Sequence, residues 1–365
     1  MISIKDVTNY LESIAPLSYQ ESYDNSGLIT GNSQDEVKGI LICLDSLENV
    51  IKEAIEKDCN LVIAHHPIIF SGLKTITGKN YVERTVLLAI KNDIAIYAIH
   101  TNLDNVSNGV NRMISERLGL KNVKILSPKS SLLRKLVTFC PIDDAEKIKN
   151  ALFTAGAGNI GNYSECSFNL VGEGQYLGNE ASNPIKGDKG RRHTESEVRI
   201  EVIFENYRQN HIISNLFDSH PYEEVAYDIY DLVNKDVRVG SGMVGELSEG
   251  QDESVFLIDL KKKMKANFIR HTSLLGKKVK KIAICGGSGS FLLQDAISSG
   301  ADAFITADYK YHQFFDADGK ILITDIGHYE SEQFTMDLIK TLILEKFSTF
   351  AVRITEVNTN PVFYM

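Results

Sequence analysis

The sequence predicts an α/β protein whose first and last parts build one core, with a ferredoxin-like module inserted between them. Three observations lead there. Short, continuously apolar runs alternate with helical stripes at both ends of the chain. A middle stretch changes to the order β-α-β-β-α-β, and afterwards the first rhythm resumes. Strand–helix–strand repetition builds a mainly parallel sheet with right-handed crossovers, and β-α-β-β-α-β is the ferredoxin-like order. The chain has 365 residues, 43% of them hydrophobic. That exceeds the roughly 250–300 residues at which a single core stops growing, so two or three units are expected.

Element by element, residues 3–14 set Ile4, Val7, Leu11 and Ile14 on one helical stripe. GILICLD (39–45) is apolar throughout, as in a strand covered on both faces. A helix is expected over 47–57, a strand over NLVIAHHP (60–67), a helix from Val82 to Lys91 and a strand over IAIYAIH (94–100). The character changes at the polar stretch Ser127–Ser131, which sets expected divisions of 1–126, 127–234 and 235–365. In the middle part LLRKLVTFCP reads as strand and DDAEKIKNALFTAGA as helix, with Asp143 as N-cap. Two strand patterns flank Gly172–Ser196, which reads as loop by composition. NYRQNHIISNLFDSH is a helix and EEVAYDIYDL a strand. From Val279, KKIAICGGSGS is a strand with a Gly-rich turn, and FLLQDAISSG is a helix. ADAFITAD and KILITDIGH are strands, YESEQFTMDLIKTLILEKF one long helix and FAVRITEV a last strand.

Composition narrows the function. There are 39 basic and 48 acidic residues, a net charge of −9. Broad nucleic-acid binding needs clustered Lys and Arg, so that class is disfavoured. Five dispersed cysteines without CxxC spacing read as reduced thiols rather than a disulfide framework. The N-terminal stretch lacks the order of a signal peptide, and no apolar run reaches the ~18–20 residues of a membrane span. A cytoplasmic protein is expected.

The candidate chemistry lies just past strands, where open α/β sheets bind ligands. His65-His66-Pro67 follows one strand, and His100-Thr-Asn-Leu-Asp104 the next. Asp104 offers a hard oxygen able to bridge cations, although Asp and Asn also favour plain turns. His100 stands at the same rim, able to bind or orient a ligand through its second nitrogen. In Gly327-His328-Tyr329-Glu330-Ser331-Glu332 a helix starting near His328 would stack His328 and Glu332 on one face and turn Glu330 elsewhere. His65, His66, Asp104, His328 and Glu332 make five ligands. One catalytic zinc takes about three, so five suit two ions about 3.5–4 Å apart that share carboxylates. Asp308, Lys310 and His312 follow another strand as supporting or substrate-facing groups, or as an ordinary polar loop. CGGSGSF (285–291) matches neither a dinucleotide fingerprint nor a phosphate loop, so it reads as a tight turn.

IAHHPIIF, HTNLD, TADYKYH and GHYESE, with YDNSGLITG (23–31), resemble the family of type 2 GTP cyclohydrolase I homologues. These are also called interacting-factor-three-like dinuclear metal proteins. The resemblance runs over essentially the whole chain. It implies a three-layer α/β core from the two outer parts with two divalent ions (zinc, iron or manganese) in a cleft between them. The ligand positions fall on His65, His66, Asp104, His328 and Glu332. It also implies that the inserted module is similar to PII- and CutA-like proteins, through SHPYEEVAYDI (219–229), and that the chain assembles as a homohexameric ring of trimers.

The expected activity is metal-assisted opening of the guanine imidazole ring of GTP with release of formate, His100 or His312 moving protons. Two rivals stand beside it. One is a two-metal phosphoesterase, weakened by the absence of GDxHG and GNHE. The other is a metal-bound regulatory or scaffold protein without turnover.

Overall fold

A short apolar run with no polar alternation suits a strand covered on both faces. In the computed structural model, which describes residues 1–365, the runs Gly39–Asp45, Leu61–His66 and Ala95–Ala98 are parallel neighbours in one sheet. Ala351–Ile354 adds in parallel at one edge and Gly27–Thr30 antiparallel at the other. The helices Glu48–Glu56 and Tyr81–Lys91 cover one face, where Val50, Ile51, Ala54, Val86 and Ala89 meet Leu41, Val62 and Ile96. Helix Ile4–Ile14 starts where Ser3 and Asp6 form a reciprocal capping box, and it buries Ile4, Val7 and Leu11.

A second sheet has the order Arg270–His271, Leu322–Asp325, Ala303–Ala307, Lys278–Ser288, Asp236–Asp252, Lys121–Lys129. Its three central strands, 278–288, 303–307 and 322–325, run parallel. Each sheet therefore takes strands from both outer parts of the chain. One compact unit holds Met1–Pro128 with Val237–Met365, and the other holds Lys129–Asp236. All five cysteines are free and four are buried. No helix is long and apolar enough to cross a membrane.

The smaller unit has one antiparallel sheet, ordered Phe168–Leu177, Arg192–Glu205, Leu133–Pro141, Tyr227–Leu232. The helices Ala145–Thr154 and Gln209–Ser219 bury Ile148, Leu152, Ile212 and Leu216 against it.

Several elements differ from expectation. Gly172–Ser196 is only partly loop, because strand pairing runs on to Leu177 opposite Arg192 and leaves 178–191 as the connection. The arm is mostly exposed, so its strands lack an apolar face to mark them. Asp143 does not cap its helix. Ile142–Asp144 forms a 3-10 turn and Asp144 takes the cap position without a side-chain bond. The expected long helix is two, His328–Glu332 and Thr335–Lys346. Both pieces have helical periodicity, so the break is invisible to pattern. Phe334 marks the join, buried beneath the Arg117 guanidinium, which lies 3.3 Å from its ring centroid.

Candidate metal centre

The site is assembled at the carboxyl ends of strands in the larger unit. His65 and His66 close Leu61–His66, and His100 lies two residues beyond Ala95–Ala98, leading into the short helix Thr101–Asp104. In the second sheet, Leu322–Asp325 passes through Gly327, at φ +90°, into His328–Glu332. A side chain resists that backbone conformation, so glycine makes this sharp entry possible. One turn of helix then points His328 and Glu332 the same way, with His328 Nε2 3.1 Å from Glu332 Oε2. The buried Asp325 carboxylate holds the entry: it accepts the amides of Gly327 (3.0 Å) and Tyr309 (2.9 Å) and pairs with Arg270.

Four imidazoles are each anchored through Nδ1. His65 Nδ1 donates to the Ile99 carbonyl (2.9 Å), His66 to Asp45 Oδ1 (2.9 Å), His100 to Asp24 Oδ1 (2.8 Å) and His328 to Asp308 Oδ2 (2.6 Å). Anchoring of this kind leaves the Nε2 lone pair for a ligand. One ligand atom from each of His65, His66 and His100 lies within 4.8 Å of the others, and so do those of His66, His328 and Glu332. His66 Nε2 is 3.0 Å from Glu332 Oε2, and His65 Nε2 is 3.7 Å from Asp104 Oδ1 and 3.8 Å from Glu332 Oε1. Ligands about 2.0–2.1 Å from one tetrahedral ion stand roughly 3.4 Å apart, and these separations bracket that figure.

Among the candidate ligands two buried atoms are unpartnered, His65 Nε2 and Asp104 Oδ1. Leaving a buried polar atom unpaired costs about 1–3 kcal/mol, and a cation between these two would satisfy both. The carboxylates around the rings favour positive charge here, which a proton or a metal ion can supply. Burial presses His66 down, but Asp45 and Glu332 outweigh it and lift the imidazole to about 9. The Glu332 charge, opposed by burial and helped by Asp308, lifts His328 to about 11. Burial, with Glu332 nearby, raises Asp104. Glu332, although burial works the other way, is held well down by His328. The donors fit one or more divalent ions of nitrogen- and oxygen-binding character.

The five expected ligands are thus brought together, with His100 beside them and Asp308 as the anchor of His328. His312 is not. It is exposed on the 3-10 segment Tyr311–Ala317, its ring packed against Tyr311 and Phe315 (centroids 5.2 and 6.4 Å). Asp308, at φ +58°, turns the chain there, and neither Lys310 nor His312 lines the cavity. Glu330 is buried and belongs to neither ligand group; it lines the same cavity, its Oε1 3.4 Å from Asn360 Nδ2. The glycine amides of the turn are already taken, since Gly286 N donates to Asn111 Oδ1, Gly287 N to Ser331 Oγ and Gly289 N to Thr306 Oγ1, each at 2.9 Å. Its role is space: a Cβ on Gly287 would come within 2.4 Å of Glu332 Oε1.

Two orienting groups escaped sequence reasoning. Asp45 ends a buried strand as His66 does, and the strand-end rule applied evenly would have found it. Asp24 lies in YDNSGLITG, one of the segments that carry the family resemblance, but its local pattern assigns it no role. Its carboxylate accepts His100 Nδ1–H, the Thr101 amide (3.0 Å) and the Ser26 hydroxyl (3.0 Å). Despite burial, the His100 bond keeps it far below the usual carboxylate range. The whole site opens into a cavity of about 1180 Å³, where the rings of Tyr23 and Phe70 stack with centroids 6.3 Å apart.

Residues 2–361 match the model of the family Duf34/NIF3 (NGG1p interacting factor 3). A protein of Halalkalibacterium halodurans named GTP cyclohydrolase 1 type 2 homolog is 36% identical, over 98% of each chain. One of the same name from Bacillus subtilis is 35% identical, covering 99% of this chain and 98% of the relative. Among solved structures, a Bacillus cereus protein related to NIF3 superposes with a TM-score of 0.85 at 35% identity, over 100% of this chain and 99% of the other.

Proposed function

Because the chain belongs to the Duf34/NIF3 family, we propose that it is a metal-dependent hydrolase holding two divalent ions with His65, His66, Asp104, His328 and Glu332. The observation that supports this most is the pair of buried, unpartnered atoms, His65 Nε2 and Asp104 Oδ1. The donors divide between the two Glu332 oxygens, His65 near Oε1 and near Asp104, His66 and His328 near Oε2, an arrangement that suits two ions sharing a carboxylate. When bound, such ions supply Lewis acidity and lower the pKa of water towards ~7.

The protein's own groups have separable tasks. Glu332 and Asp104 offer two oxygens each, enough to serve both ions. Asp45 and Asp308 fix the ring orientations of His66 and His328. His100, its Nδ1–H given to Asp24, offers Nε2 as a proton acceptor at the rim. The stacked Tyr23 and Phe70 present flat apolar faces suited to a ring substrate. The relatives' name directs the choice of substrate to GTP, with water added at C8 of guanine, the imidazole ring opened and formate released.

The test is direct. Protein loaded with zinc, iron or manganese is assayed for formate release from GTP and for phosphate release from other nucleotides, against Asp104→Ala. Formate release lost in the variant is the expected result. Turnover unchanged by the substitution would remove the reaction from this site. Retained metal without turnover of any nucleotide would reject the hydrolase reading and leave a metal-binding regulator.

A further inference from the structure

Ala351–Ile354 runs parallel to Gly39–Asp45, with Ile354 opposite Ile42. Parallel strands end at the same edge, so the chain leaves the first sheet on the side where His66 stands. The Thr355 amide donates to the Ile42 carbonyl at 2.8 Å, and Val357 packs on the apolar cluster beneath. These ties deliver Thr359 to the site. It is buried, and its hydroxyl donates to Asp45 Oδ2 at 2.7 Å. The other Asp45 oxygen receives His66 Nδ1–H at 2.9 Å. One carboxylate thus joins Thr359 to an imidazole that faces Glu332.

We infer that Thr359 is a positioning residue of the metal centre, setting the plane of the Asp45 carboxylate and, through it, the ring of His66. This rests on His66 being a metal ligand. The torsion that turns a carboxylate about its stem is broad, and Asp45 is about one-third exposed (32%), where water competes for its oxygens. A donor fixed on Oδ2 removes that freedom. The segment bearing Thr359 is itself held by two side-chain turns: Asn358 Oδ1 accepts the Asn360 amide and Asn360 Oδ1 the Val362 amide, both at 3.0 Å. Further along, Tyr364 packs on Phe268 with ring centroids 4.0 Å apart, and both line the cavity. This late segment is therefore part of the site wall as well as its brace.

The experiment compares the full chain with Thr359→Val and Thr359→Ser, each stripped of metal and titrated with Co²⁺ while the visible d–d bands are recorded. Orienting partners behind a ligand typically change metal affinity 10- to 100-fold. The Val variant is expected to bind about tenfold more weakly with shifted bands, and the Ser variant, which keeps the hydroxyl, to match the unaltered chain. A Val variant with unchanged affinity and spectrum overturns the inference, even if its melting temperature falls, since that is what a merely structural bond would give. Should the Val variant not fold, Asp45→Asn replaces it, because a carboxamide cannot accept both donors as the carboxylate does. An unchanged Co²⁺ spectrum there overturns the inference equally. If the unaltered chain shows no inner-sphere cobalt bands, it is the metal reading that has failed.

Discussion

A histidine has two nitrogens, and what holds one decides what the other can do. At this site the rule repeats four times, with three carboxylates and one carbonyl behind the rings. His100 differs in how many donors hold its anchor, for Asp24 also accepts the Thr101 amide and hydroxyl and the Ser26 hydroxyl, where Asp45 also accepts Thr359. We predict that Asp24→Asn retains its metal, measured by elemental analysis, but loses turnover by about 10²-fold, the lower end of what a positioned base contributes. Loss of metal instead would make His100 a ligand rather than a proton acceptor. The candidate ligands were legible in the sequence because His65, His66 and Asp104 sit just past strands and His328 and Glu332 are one helical turn apart. Of the anchors only Asp308 was, as a polar group past a strand; Asp45 and Asp24 were not. His100 and Asp24 are 76 residues apart, and no local pattern connects them.

The helix Glu48–Glu56 is tied to the late strand Ala351–Ile354 through one carboxylate. Glu53 accepts Lys57 Nζ at 2.7 Å, the Glu356 amide at 2.9 Å and the Thr355 hydroxyl. Burial opposes ionisation, but these three donors outweigh it and hold Glu53 below its ordinary value of 4.5. A carboxylate with a depressed folded-state pKa stabilises the fold above its unfolded pKa, and that stability is lost as pH falls through the folded value. Glu53→Gln is therefore predicted to cost about 1–3 kcal/mol at pH 7. In urea melts the gap between the two proteins should close progressively below pH 4.5; a gap independent of pH would mean that the charge is not what matters. Elements were read well where burial leaves a pattern, on one face as in Ile4–Ile14 or on both as in Gly39–Asp45. They were misread where burial is absent, as in the exposed arm Phe168–Leu177, or where tertiary packing breaks a pattern, as at Phe334.

On the scale of the whole chain, the site exists only when residues on either side of the inserted segment meet, for His66 and Glu332 are 266 residues apart. An ion bound there has no equivalent in the unfolded chain and must stabilise the fold by mass action. At a free concentration of 100 times its Kd the gain is about 2.7 kcal/mol. Chelation followed by calorimetry should lower the unfolding temperature, and re-addition of zinc or manganese should restore it. Identical melts with and without chelator would show that no cation prefers the folded state. The sequence pointed to this long-range meeting through the rhythm both ends share, the donors divided between them and the family resemblance; the exchange of strands between the two sheets was not visible, since in Lys121–Lys129 only Val123 and Ile125 alternate with polar neighbours before the pattern breaks. That exchange bears on how the molecule is made. Until a ribosome has released Ala351–Ile354, the rim of Gly39–Asp45 has no partner, and it waits while about three hundred further residues emerge, an opening for chaperones or for mispairing.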